Sequence, residues 1–281
     1  MNIDIKRPQA LKIAAYRSTY SSPRWAVSRI TVLYAAALVL PLALHIHLSR
    51  GSDLPLLAST FVIAVAWAML FAYLRQQKTD WHCIVTPVIV TLMIPPSTPL
   101  WQAVLALSFG IVVGEQIFGG RGYGFLSAPV TALAFLLFSF PDSMEVADSR
   151  LVAVSVIPGA VVLLITRLIS WRILVGFAAG LLCCRAIADF GAPLNPMLTS
   201  SLALGIVFLI CDPVSAASTN AGRWAYGLLA GALVVILAGS GDAIGSVASI
   251  VFAALLANIF APLIDRIVVI INVNRRRRRN G

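Results

Sequence analysis

Charge is what this sequence has least of. Only 11% of its 281 residues are Asp, Glu, Lys or Arg, against about 25% in an ordinary soluble domain. That scarcity, beside 59% hydrophobic residues, argues against a soluble globular protein. Acids are scarcer than bases, 11 against 21, so the chain carries a net charge of +10. Cysteine is rare as well. Cys83, Cys183, Cys184 and Cys211 form no CxxC, and the adjacent pair is poor metal-ligand spacing. A buried cysteine behaves as a small hydrophobe, which is the plain reading of all four; a contribution to an iron–sulfur site shared with a partner subunit is the sharper one. There is no GxGxxG after a strand and no cysteine cluster, so nothing here binds NADH or builds an iron–sulfur centre alone.

What is present is a succession of apolar runs near the length of a membrane helix. They fall at about 29–48, 54–74, 83–97, 101–118, 128–141, 151–167, 171–188, 198–211, 223–240 and 246–264. The expected fold class is all-α: a polytopic membrane protein of about ten transmembrane helices. The third, fifth and eighth runs are short, and each meets proline or a small-polar cluster at an end: Pro95-Pro96 and Pro99, Pro129, and Asp212-Pro213.

The basic residues are placed as membrane flanks. Lys6, Arg7, Lys12, Arg17, Arg24 and Arg29 precede the first run, and Arg275 to Arg279 follow the last. Basic flanks mark the cytoplasmic side and attract anionic lipid, so the partner implied is membrane lipid and not nucleic acid. The N-terminal basic stretch is too long for a signal-peptide n-region, and no small-residue cleavage pattern follows. With both termini cytoplasmic, ten crossings leave only Arg50, Arg150 and Arg185 outside, while Asp142, Glu145 and Asp148 share one outer loop. The expected division is a cytoplasmic basic segment 1–28, a transmembrane domain 29–265 and an Arg-rich cytoplasmic tail 266–281.

The chain resembles itself. Leu92–Gly120 (LMIPPSTPLWQAVLALSFGIVVGEQIFGG) and Leu209–Ser240 (LICDPVSAASTNAGRWAYGLLAGALVVILAGS) share an order: apolar run, proline break, Trp, Gly-spaced helix, terminal Gly. The offset is five helices. An odd offset makes the second copy inverted, giving a 5+5 inverted repeat of about 29–141 and 151–265 with interrupted helices, whose functional site lies at the repeat interface. Two proline-broken hairpins that converged on the same order are the alternative.

Asp212-Pro213 is the pattern of a helix start, with Asp favoured at the N-cap and Pro at the first helical position. It predicts a short helix or turn through Ser215 and Ala216. Ser215, Ser218, Thr219 and Asn220 would satisfy backbone groups freed by the break. Asp212 either only caps, or caps and also contacts a ligand or ion. In Phe118–Gly124 (FGGRGYG) four glycines permit close approach of backbone to a flat ring or phosphate; the plainer reading is a tight helix-to-helix turn. Glu115 is the acid deepest in an apolar run, a candidate for cation or proton contact or a quinone hydrogen bond, or else an interfacial acid reaching for water. His45 and His47 stand two apart and point to opposite helix faces, so they cannot share a metal. Asn258 and Pro262 are assigned packing roles, with bonds across helices.

Four stretches carry a family resemblance, in this order along the chain: MIPPSTPLWQAVLALSFGIVVGEQIFGGRGYGFL (Met93–Leu126), SWRILVGFAAG (Ser170–Gly180), DPVSAASTNAGRWAYG (Asp212–Gly227) and LLANIFAPLIDR (Leu255–Arg266). They resemble the NqrB/RnfD family, membrane subunits of the sodium-translocating NADH:quinone oxidoreductase and of the related Rnf electron-transport complex. The resemblance covers about residues 80–275. It implies a membrane subunit of a flavin- or quinone-linked electron-transport complex, coupled to Na+ or H+ translocation, in a bacterial inner membrane with other membrane and reductase subunits. The candidate cofactor-binding residues are Glu115, Gly119, Gly120, Asp212, Ser215, Thr219 and Asn220; no catalytic or metal-ligating set is visible. Two departures matter. Ser127-Ala128-Pro129 stands where the family has Asn-Pro-Ala. The loop Asp142–Arg150 lacks the Thr that in the family carries covalent FMN, so the chain resembles a shortened paralogue in which FMN-threonine is not expected. Non-covalent riboflavin or FMN, or quinone, remains the cofactor implied. A transporter or channel for a small solute or flavin, without redox activity, is the alternative, and a structural anchor for a partner reductase the third reading.

Overall fold

A computed structural model of the protein describes residues 24–76, 81–141, 149–187, 199–238 and 246–280. Among them are ten α-helices and no strand: α1 (Arg24–Leu48), α2 (Leu54–Leu74), α3 (Val85–Met93), α4 (Leu100–Ile111), α5 (Ala128–Ser139), α6 (Arg150–Ile165), α7 (Trp171–Ile187), α8 (Ser200–Leu204), α9 (Asn220–Ala238) and α10 (Val247–Asn280). The chain is an all-helical polytopic membrane protein. Four helices are long and apolar enough to cross a bilayer, over Ile30–Leu48, Leu54–Leu74, Asn220–Ala238 and Val247–Arg275. The short third, fifth and eighth runs appear as Trp81–Met93, Ala128–Ser139 and Ser200–Ile210. Three further helices also fall below full length, Leu100–Gln116, Arg150–Ile165 and Trp171–Ile187. The last helix continues through the arginine run to Asn280; arginine is a good helix former, and cations suit a helix C-terminus.

Proline sets several boundaries. Pro55 and Pro129 occupy the first turns of α2 and α5, where a missing N–H costs nothing. Ile94 is extended and Pro99 sits at the N-cap of α4, so Pro95–Pro99 forms a true gap between α3 and α4. Thr199 caps α8, its hydroxyl accepting from the Leu202 N–H at 3.1 Å. Two helices widen to π geometry at their ends, α4 over Val112–Gln116 and α8 over Gly205–Ile210. The widening closes through Ile117 N–H to the Val112 carbonyl (2.9 Å) and Cys211 N–H to the Ile206 carbonyl (3.0 Å). Such widened turns are frequent at functional sites.

The packing scheme repeats at an offset of five helices. α2 packs on α4 as α7 packs on α9; α4 on α5 as α9 on α10; α1 on α3 as α6 on α8; α3 on α5 as α8 on α10. The contacts between halves join equivalent helices: α1 with α6, α3 with α8, α5 with α10. Lipid gives no hydrophobic drive between helices, so close van der Waals packing of small residues carries the association. Gly176 and Gly180 on α7 meet Gly227 and Gly231 on α9, a Gly-x-x-x-Gly pair on each helix. A Cβ at Gly227 would lie 2.5 Å from the Ile173 carbonyl oxygen, and one at Gly176 2.9 Å from that of Trp224. In the first half, a Cβ at Gly110 would lie 2.5 Å from the Ala132 Cβ. Between halves, one at Gly159 would lie 2.6 Å from the Ala37 carbonyl.

Candidate functional site

The break after α8 differs from the sequence expectation in its hydrogen bonding. Asp212 and Pro213 do open a turn, closed by the Ala216 N–H donating to the Asp212 carbonyl at 3.0 Å. No helix follows until Asn220, and the Asp212 carboxylate caps nothing. It accepts from Arg121 Nη2 at 3.1 Å and from the Ser215 hydroxyl at 3.1 Å. The physical reason is Arg121: a guanidinium brought beside a buried carboxylate is a stronger partner than a backbone N–H. Asp212 is only 5% exposed. The residue that caps α9 is Thr219, whose hydroxyl accepts from the Gly222 N–H at 3.1 Å.

Arg121 comes from the glycine-rich loop after α4. Gly119, Gly120 and Gly122 have φ of +116°, +101° and +94°, which an L side chain rarely adopts. These turns let the loop fold back under the π segment and send Arg121 across to the other half. The same loop lines a cleft of about 150 Å³ with Arg75, Glu115, Gln116, Arg121, Tyr123 and Thr86, room for several waters. Arg75 is held in place by Gln116: its Nη1 donates to Oε1 at 3.1 Å, and its Nη2 to the Gln116 carbonyl. Its guanidinium also lies over the Phe71 ring, 5.1 Å from the centroid. One acid and two arginines thus border a glycine-floored cleft. Such donors suit a carbonyl oxygen or an anion, and the bare backbone at Gly119 and Gly120 admits a flat ring edge, so these residues fit a quinone or an isoalloxazine.

Of the candidates read from sequence, Glu115, Gly119 and Gly120 share this cleft, and Asp212 and Ser215 join it through Arg121. Thr219 and Asn220 go elsewhere. Asp265 on α10 accepts from the Ser218 N–H (2.7 Å) and hydroxyl (2.8 Å) and from the Thr219 N–H (3.0 Å) and hydroxyl (2.6 Å). Asn220 accepts from Arg172 at 2.9 Å. Sequence reasoning missed Arg75, Arg121 and Asp265. In the sequence Arg75 and Arg121 stand as ordinary membrane flanks and Asp265 at the end of an apolar run; the one signal is that Arg121 is set between glycines. The packing role given to Asn258 is met: fully buried, its Oδ1 lies 2.7 Å from the Tyr226 hydroxyl, which also reaches the Ile210 carbonyl at 3.1 Å. His45 faces Asp53, Nε2 to Oδ2 at 3.2 Å, and not His47. No group of three His, Cys, Asp or Glu among the described residues could hold a metal. The loop that lacks a threonine lies mostly outside the described residues, at 142–148.

The fold and cleft define a class: an α-helical membrane protein of two five-helix halves, each with an interrupted helix, and a polar centre where the halves meet. Within that class, the family model described as NQR2, RnfD, RnfE matches residues 15–152 and 147–274, and the chain belongs to this family. Among its relatives are proteins named as a subunit of Na(+)-translocating NADH-quinone reductase. That of Pseudomonas paraeruginosa (strain DSM 24068 / PA7) is 33% identical over 81% of this chain and 70% of its own length. That of Ectopseudomonas mendocina (strain ymp) is 32% identical over 81% and 69%. That of Haemophilus influenzae (strain PittEE) is 29% identical over 88% and 76%.

Proposed function

We propose that this chain is the membrane-embedded subunit of a flavin- or quinone-linked electron-transport complex, coupled to movement of Na+ or H+. The observation that carries the reading is the cleft at Glu115, bridged by Arg121 to Asp212 at the broken helix of the other half. The names of the relatives support it. Arg75 and Arg121 would hold the carbonyl oxygens of a quinone or a non-covalent riboflavin or FMN. Gly119 and Gly120 would let its ring approach. Glu115 and Asp212 are the acids beside which a cation or proton would stand. The bound group supplies the redox chemistry; the protein supplies binding, orientation and the electrostatics around it. Other membrane and reductase subunits would deliver the electrons. The second half is proposed to run inverted relative to the first, with 1–28 and 266–281 on the cytoplasmic side of a bacterial inner membrane.

Transport of a small solute or flavin on the same frame is the second reading, favoured by the absence of threonine from Asp142–Arg150. Purification in mild detergent with a flavin spectrum before and after acid precipitation separates the two. Flavin released into the supernatant is the expected result. Flavin held in the precipitate refutes the non-covalent assignment, and absence of any flavin or quinone moves the reading to transport.

A further inference from the structure

We infer that the paired ends of α7 and α9 form a binding site for one anionic phospholipid. Close packing of Gly176 against Gly227 and of Gly180 against the Leu228 backbone brings these two helices within backbone contact, so their first turns lie side by side. Trp171 and Trp224 meet there edge to face, ring centroids 5.6 Å apart. Tryptophan pairs of this kind belong at headgroup depth. Arg172 lies 5.3 Å from the centre of the Trp171 ring and donates to Asn220 at 2.9 Å. Arg223, one turn beyond Asn220 and on the same face of α9, gives its Nε to the Ala217 carbonyl at 3.3 Å.

Neither guanidinium is paired with a carboxylate among the described residues. Asp265, the acid bonded to the start of α9, is already turned to four donors of Ser218 and Thr219. Two cations with N–H groups to spare therefore stand at one end of the α7–α9 pair, of which α9 is long and apolar enough to cross a bilayer, and charge complementarity calls for a phosphate. Below them runs a place for the chains. Trp171, Val175 and Leu182 are exposed along one stripe of α7 (54%, 47% and 52%), with Leu228 exposed on α9 (42%). Basic pockets between membrane helices bind anionic headgroups; this one joins the headgroup contacts to an apolar track on the same two helices.

The test is direct. Purified, delipidated protein in neutral detergent is titrated with phosphatidylglycerol and, separately, with phosphatidylcholine of the same chains, and bound lipid is counted by native mass spectrometry. The wild type is expected to take up one tight phosphatidylglycerol and no comparable phosphatidylcholine. Arg172→Gln with Arg223→Gln weakens that binding about thirtyfold, near fivefold for each arginine. Arg50→Gln with Arg150→Gln, exposed residues expected on the opposite side of the membrane, leaves it unchanged. Arg172→Lys with Arg223→Lys keeps both charges and retains the lipid, which separates charge from fold. Equal affinity for the two lipids, or unchanged phosphatidylglycerol binding in the folded Gln pair, overturns the inference. So does loss of a co-purifying subunit from the Gln pair with lipid binding intact, since a protein would then cover the groove.

Discussion

Replacing Arg121 by Gln should damage this protein more than replacing its partner, and the structure says by how much. The Arg121–Asp212 pair is 3.1 Å long, with side chains 14% and 7% exposed. Removing the arginine leaves a carboxylate out of reach of bulk water with one hydroxyl, that of Ser215, to satisfy it. Stranding one member of a buried pair costs about 3–5 kcal/mol. Asp212→Asn is milder. The amide keeps an acceptor for Ser215, and Arg121 lines the cleft, where water can solvate it, so the expected cost is about 1–3 kcal/mol. The double variant Arg121→Gln with Asp212→Asn removes both charges and should recover at least about half of the single Arg121 loss, the non-additivity expected of residues in contact. Unfolding in mixed micelles by titration with SDS, followed by tryptophan fluorescence, measures all three. A cost for Arg121→Gln under about 1 kcal/mol, the value of an exposed ion pair, refutes the burial argument; so does a double variant that merely sums the singles.

Tyr226→Phe should cost about 1–3 kcal/mol in the same titration. One hydroxyl proton cannot fully serve both Ile210 and Asn258. With the Asn258 amide turned over, its N–H donates to Tyr226 and Tyr226 to the Ile210 carbonyl, and the phenylalanine breaks both links. Gly227→Leu should cost at least about 1–3 kcal/mol through overpacking against the Ile173 carbonyl; a folded yield equal to wild type would show that α7 and α9 can part freely.

The helices were legible in the sequence because membrane insertion writes them in runs of apolar residues, and the short ones were legible because proline ends them. The five-helix offset was visible too, in the shared order of Pro, Trp and Gly around Pro95 and Pro213. What could not be read was where polar side chains turn. Asp212-Pro213 has the local chemistry of a cap, and no local rule says that an arginine 91 positions earlier will take the carboxylate instead. Ser215, Ser218, Thr219 and Asn220 read as one cluster, yet they part to three partners on different elements: Asp212, Asp265 and Arg172. The π turns at Val112–Gln116 and Gly205–Ile210 had no sequence mark, since widening by one residue depends on what packs beside it. Apolar period reports depth in the bilayer; it carries no information about pairings across the bundle.

Two acid–base contacts join described residues, and they do different jobs. His45–Asp53 lies within the first half, tying the end of α1 to the start of α2. Arg121–Asp212 crosses between halves, from the loop after α4 to the break after α8. Sliding one half against the other would have to stretch that 3.1 Å contact, so it resists relative motion of the two halves. A guanidinium has five N–H donors in a rigid fork, and Asp212 engages one Nη. Arg121 can therefore hold Asp212 and an oxygen in the cleft at once, which a lysine, as a point charge, does with less geometric definition. Through such a fork, a ligand in the cleft of one half would be felt at the broken helix of the other without any large displacement. Coupling by this route demands that Arg121→Lys keep the fold while loosening the link between cleft ligand and Asp212, a separation that Arg121→Gln, which strands the carboxylate, cannot provide.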